Sequence, residues 1–141
     1  MDNGAKLRKF GAKIQAFVEE NGLDEAMSEF VTPLGDLGAK VSKLTMEIGM
    51  KAMQNPDEVG AAAVPYLRVV GHLVYSYFFA QMAKIALEKT DAAEAAGDSF
   101  YKAKLATARF YFARLQPETA MLIRQARSGS SNLMALDVDL F

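Results

Sequence analysis

Leu34, Leu37, Val41, Leu44 and Ile48 recur at intervals of three and four residues, and that rhythm is the strongest constraint this chain places on its own fold. Side chains so spaced share one side of an α-helix, whereas a strand would scatter them over both faces. The same rhythm returns in Leu7, Phe10, Ile14 and Phe17, and again in Tyr101, Leu105, Ala108, Phe112 and Leu115. No stretch of any length alternates apolar and polar residues with the period of two that a half-buried strand requires.

Helix punctuation divides the stripes. The first helix is predicted over Ala5 to Glu20, stopped by Asn21-Gly22 in a left-handed turn. A short helix over Asp24 to Val31 follows. Thr32 then caps the second long helix, with Pro33 as its first residue and Asn55-Pro56 as its end. Asp57 caps a third helix reaching about Lys89, in which Pro65 deprives the Ala61 carbonyl of its partner and calls for a kink or break. Thr90 to Asp98 reads as an acidic connector. A fourth helix runs from about Ser99 to Arg127, interrupted at Pro117, and Ser128 to Asn132 reads as a flexible turn before an apolar tail. The expected fold is all-α: a single domain over 1–141, built as an antiparallel, up-down bundle of about four long helices.

Composition narrows the chemistry. With no cysteine and one histidine, His72, disulfides, thiolate zinc sites, cysteine nucleophiles, an HExxH motif and a multi-histidine cage all fall away. Neither GxGxxG nor GxxxxGK[ST] occurs, and no Glu-x-x-His pair supports a di-iron bundle. A net charge of −1 gives no global field for nucleic acid. The longest charge-free run, Val69 to Ala83, is too short for a membrane span and reads as a buried core helix. Lys6, Arg8 and Lys9 precede no apolar segment, so no signal peptide is expected, and the lack of cysteine accords with a cytoplasmic setting.

Single residues offer little catalysis. His72, flanked by Gly71 and Leu73, reads as a hydrogen-bonded core or interface histidine. The neighbours Glu19-Glu20, Asp24-Glu25 and Asp57-Glu58 point about 100° apart on a helix, and the last two pairs suit helix starts. Glu47 reads as a solvated lone carboxylate. The basic residues Lys102, Lys104, Arg109, Arg114, Arg124 and Arg127 cluster in the fourth helix, where they pair with the acidic N-terminal half and connector or else meet phosphates.

Two helices are apolar on a second side. Met46, Met50 and Met53, with Ala39, lie opposite the leucine stripe of the second helix; Phe110 and Met121, with Ala103 and Ala106, lie opposite the Tyr101–Leu115 face of the fourth. These residues either line a wide core with a few exposed methionines or form a docking surface for another domain or subunit.

The run Ala103-Lys104-Leu105-Ala106-Thr107-Ala108-Arg109-Phe110-Tyr111, with Leu115, Pro117 and the ending Leu136-Asp137-Val138-Asp139-Leu140-Phe141, resembles the extra C-terminal helical domain of a branch of the acyl-CoA dehydrogenases. That branch includes the large bacterial enzymes acting on methylmercaptopropionyl-CoA and fatty acyl-CoAs. The segment Ala62 to Gly71 is similar to the preceding helix of the same family. The resemblance is clear over 59–141, and over 1–58 it rests on helix order, the Asn3-Gly4 junction and apolar spacing. Gln116, Phe112 and Arg114 depart from the family's usual residues at packing positions.

The resemblance implies a C-terminal part of a larger flavin-dependent dehydrogenase. The parent oxidises an acyl-CoA to the 2-enoyl-CoA with FAD, in a homo-oligomer. It implies no catalytic, cofactor-binding or metal residue in this chain. The chain would pack on the catalytic portion of its own polypeptide and on a second subunit, with Met46, Met50, Met53, Phe110 and Met121 as the docking candidates. Apart from the resemblance, a free-standing helical module binding a partner helix or an acyl chain fits the same faces, and near-neutral charge disfavours a nucleic-acid binder.

Overall fold

The computed structural model describes residues 4–133 and 135–140. Helix α1 spans Ala5–Asn21, α2 Ser28–Gln54, α3 Asp57–Ala95, α4 Phe100–Phe110 and α5 Thr119–Arg127. Between α4 and α5 lie a π turn, Tyr111–Leu115, and a 3-10 turn, Gln116–Glu118. No strand occurs among the described residues. Asn3 and Phe141, both part of the resemblance, lie outside them.

Contacts between helices show their directions. Gly35 and Gly38 of α2 face Val18 and Ile14 of α1, so residue numbers run in opposite senses. Phe10 and Glu20 of α1 meet Tyr77 and Lys84 of α3, so these two run the same way. Glu29 and Glu47 of α2 pair with Arg109 and Arg127 of α4 and α5, again in the same sense. The chain therefore goes up, down, up and down. Helix α3 is the hub, packing on α2, α4 and α5.

The core follows the expected stripes except at Leu115, which the π turn leaves exposed. Ile14 and Phe17 of α1, Leu34, Leu37, Val41 and Leu44 of α2, and Leu105 and Ala108 of α4 are buried, joined by Phe30, Val69, Leu73 and Leu122. The punctuation holds less well. Thr32 and Pro33 start no helix: a 3-10 turn, Glu25–Met27, leads straight into α2, with Pro33 inside it. Asp24 caps that turn, its Oδ1 accepting from Ala26 N–H at 2.9 Å. A proline one turn into a helix deprives only the carbonyl four residues back, here that of Glu29. Pro65 likewise sits in a continuous α3.

Other ends also differ. Helix α3 consumes most of the expected connector and stops only at Ala95, with Gly97 turning at φ +77°. Asp57 is the first residue of α3, and its N–H is capped by Asn55 Oδ1 at 3.1 Å. The fourth helix is not interrupted at Pro117 alone. Pro117 has no N–H to offer one turn back, and the irregularity spreads over Tyr111–Glu118.

Gly22 is right-handed, at φ −69°, so the expected left-handed stop is absent. The Asn21 side chain instead donates to Phe17 O at 2.7 Å. Glycine is needed here for space: a Cβ would lie 2.8 Å from Val18 O. Gly22→Ala should therefore lower stability by about 1–3 kcal/mol, the usual range for overpacking. Urea unfolding followed by far-UV circular dichroism checks this, and an unchanged midpoint would refute the steric account.

Candidate functional site

Helix α3 carries an exposed apolar stripe. Val64 and Leu67 are each 71% exposed, Tyr75 60%, Phe78 57% and Ile85 48%. At 100° per residue they fall, with Gly71 and the half-buried Val74 and Met82, inside about 100° of arc. That arc lies opposite the buried Ala62, Val69, Leu73, Ser76, Ala80 and Ala83. Val69–Ala83 is thus not a wholly buried core segment: one face is core and the other is open. Because this helix is apolar on every side, periodicity alone did not separate its faces.

The methionine candidates are exposed as well. Met46, Met50 and Met53 share the outer face of α2, while Phe110 lies on α4 and Met121 on α5. No described contact joins the three groups. Exposed apolar side chains also continue into the tail at Leu133, Leu136, Val138 and Leu140.

Where α3 meets the π turn, polar groups converge. The Tyr111 hydroxyl donates to His72 O at 3.0 Å and lies 3.0 Å from His72 Nδ1. His72 Nε2 is 3.3 Å from Glu118 Oε2, and Glu118 also pairs with Arg68. If the phenol proton goes to the carbonyl, Nδ1 must donate to the phenol oxygen. The Tyr111 ring is buried, stacked on Phe79 at a centroid distance of 4.4 Å. Burial pushes its hydroxyl pKa up, opposed by the nearby Ser76 hydroxyl. Ser76 Oγ itself is buried and makes no hydrogen bond of good geometry. His72 thus has the hydrogen-bonded interface setting that its neighbours suggested.

A second cluster was hidden in the sequence. Ser130, in the turn expected to be flexible, is buried and gives both its N–H (3.0 Å) and its hydroxyl (2.7 Å) to Glu58 Oε1. Asn55 Nδ2 donates to Ser130 Oγ at 3.1 Å, and Lys51 Nζ reaches Arg127 O at 3.1 Å. Gly129 turns the chain at φ +80°. Its side-chain position is filled by the Glu58 carboxylate, 3.2 Å from where a Cβ would stand. Glu58, an acidic residue in the first turn of α3 as expected, is also a clasp holding the segment after α5. An open cleft of about 290 Å³ lies over it, lined by Lys51, Gln54, Asn55 and Ser131 among others.

The two hydrogen bonds from Ser130, first its N–H and then its hydroxyl, hold the Glu58 carboxyl below its ordinary value of 4.5. A carboxylate with a depressed folded pKa stabilises the fold above its unfolded pKa. That contribution disappears as pH falls through the lower, folded value. The Ser130 amide resonance should thus titrate with a midpoint below pH 4.5; a midpoint at or above it would contradict the clasp.

Glu47 is not a free carboxylate either. It takes Arg127 Nε at 2.7 Å and Nη2 at 3.2 Å, and that hydrogen-bonded pairing lowers its pKa. Lys102 pairs with Glu94 at 2.8 Å and Arg109 with Glu29 at 2.8 Å. Three of the six basic residues of the fourth segment are thus engaged by acidic partners from α2 and α3. Among the described residues, no group of three or more His, Cys, Asp or Glu could hold a metal ion. No helix among them is long and apolar enough to cross a membrane.

A comparison with curated proteins returned no match. The family described as acetyl-CoA dehydrogenase C-terminal like matches residues 10–137, which takes in the N-terminal helices where the resemblance was faint as well as α3 to α5. The match spans most of the chain, which therefore belongs to the family of acyl-CoA dehydrogenase C-terminal-like helical domains.

Proposed function

We propose that the chain is a non-catalytic docking domain of a flavin-dependent acyl-CoA dehydrogenase. It covers part of the catalytic portion of the same polypeptide and contributes to a homo-oligomer. The parent uses FAD to convert an acyl-CoA to the 2-enoyl-CoA in the cytoplasm. The supporting observation is the outer face of α2, where Met46, Met50 and Met53 are 61%, 62% and 88% exposed. Apolar surface of this kind on a family of accompanying domains suits burial against another protein. Flexible methionine side chains adapt readily to such a partner.

Met50→Glu in the full dehydrogenase polypeptide tests this reading. In the 141-residue chain the substitution lies at the surface, and stability should stay within about 0.5 kcal/mol of the parent. In the full polypeptide, domain docking should weaken and the flavin-loaded yield should fall to less than half. Unchanged assembly with unchanged flavin content would remove the α2 methionines from the docking surface.

A further inference from the structure

We propose that the outer stripe of α3 pairs with the same stripe of a second copy, antiparallel, about a twofold axis passing between Val74 and Tyr75. This rests on the reading of the chain as a domain whose exposed apolar faces are covered by protein, and it assigns one face to one partner.

The argument is the symmetry of the stripe. Reversing the helix about that axis places Val64 opposite Ile85, Leu67 opposite Met82, Gly71 opposite Phe78 and Val74 opposite Tyr75. Every apolar position thus meets another apolar position of the same stripe. An isologous interface demands this of a single surface: if one residue touches another, the second must touch the first in return.

Shape and charge agree with the pairing. Gly71 leaves open space, since a Cβ built there meets nothing within 4 Å. Phe78, two turns further on, stands 57% exposed. In the antiparallel pair each Phe78 enters the gap over the other copy's Gly71, a reciprocal knob and hole. At the ends of the stripe lie Asp57 and, one helical repeat beyond Ile85, Lys89. Neither has an ion-pair partner among the described residues, and Lys89 rests over the Tyr101 ring at 5.6 Å. Reversal brings Asp57 of each copy within a turn of Lys89 of the other, and it sets no like charges face to face.

The stripe from Val64 to Ile85 is roughly 30 Å long on a helix about 10 Å wide. Its footprint falls below the roughly 800 Å² per partner of a standard interface. The dimer should accordingly be weak in the 141-residue chain, forming toward the millimolar end of the concentration range.

Sedimentation velocity on the 141-residue chain, from micromolar to millimolar concentration, reads the equilibrium directly. Circular dichroism confirms that each variant is folded. Gly71→Phe should raise the dissociation constant at least tenfold, because the hole is filled on both copies. Combining Gly71→Phe with Phe78→Ala should restore association, since knob and hole then exchange places. Rescue of that kind requires the two positions to face each other across the interface.

The absence of cysteine provides an orientation test. Tyr75→Cys should cross-link to its own copy with a short bis-maleimide. Val64→Cys should not, because in the antiparallel pair the two copies of that residue lie about 30 Å apart along the helix. A chain that stays monomeric at millimolar concentration, or cross-links equally at 64 and 75, would overturn the proposal. Met50→Glu lies on another helix and should leave this equilibrium unchanged, so failure here is separable from failure of docking through α2.

Discussion

Phe30→Ala should cost about 3–5 kcal/mol, the range for deleting a buried aromatic side chain and a large share of a domain's net stability. Phe30 is wholly buried in the first turns of α2, and its ring meets Phe112 edge to face at 5.6 Å. It lies among Met27, Leu34 and Leu37 in the one core, where the rigid helices on either side allow little collapse into the space left behind. Phe30→Leu keeps most of the volume and should lose no more than about 1.5 kcal/mol. Urea titrations of the two variants decide the matter. Equal losses would mean that ring shape, rather than buried volume, governs this position.

The second large effect concerns Tyr111. Its ring stacks on Phe79 and meets Phe112 and Tyr75, while its hydroxyl serves both the carbonyl and the ring nitrogen of His72. Tyr111→Ala removes all of this and should destabilise by about 3–5 kcal/mol. Tyr111→Phe keeps the stack but leaves His72 Nδ1 without its partner in a half-buried place, for about 1–3 kcal/mol. The difference between the two variants separates packing from polar satisfaction. If Tyr111→Phe were as stable as the parent, the network from Arg68 through Glu118 and His72 would owe nothing to the phenol.

Neither residue lies on a stripe that could be read in advance. Three stripes at helical spacing predicted an all-α bundle and most of the buried residues of α1, α2 and α4, because burial of an apolar stripe is a local property of sequence. Local signals misled where tertiary contacts overrode them. Pro33 read as a helix start and Pro65 as a kink or break within a helix, yet each costs a helix a single hydrogen bond, and the packing of α2 and α3 keeps both helices continuous. Ser128 to Asn132 has the composition of a loose turn, and the distant Glu58 and Asn55 hold it in place. Val64, Leu67, Tyr75, Phe78 and Ile85 were masked for a different reason: a helix apolar on every side carries no mark of which side will be left uncovered. The α2 methionines stood out because leucines opposite them had already claimed the core.

The ion pairs that set the helix directions also bear on how the protein is made. Glu29 and Arg109 are 80 positions apart, as are Glu47 and Arg127, and Phe30 waits even longer for Phe112. At synthesis rates of about 5–20 residues per second, α2 leaves the ribosome roughly 4–16 s before the segment that closes over it. During that interval Phe30 and the apolar groups beside it face water without their final cover. The last-made quarter of this chain is therefore the step that ends its exposure to chaperones and to aggregation, and premature termination after α3 should yield an insoluble product rather than a smaller bundle.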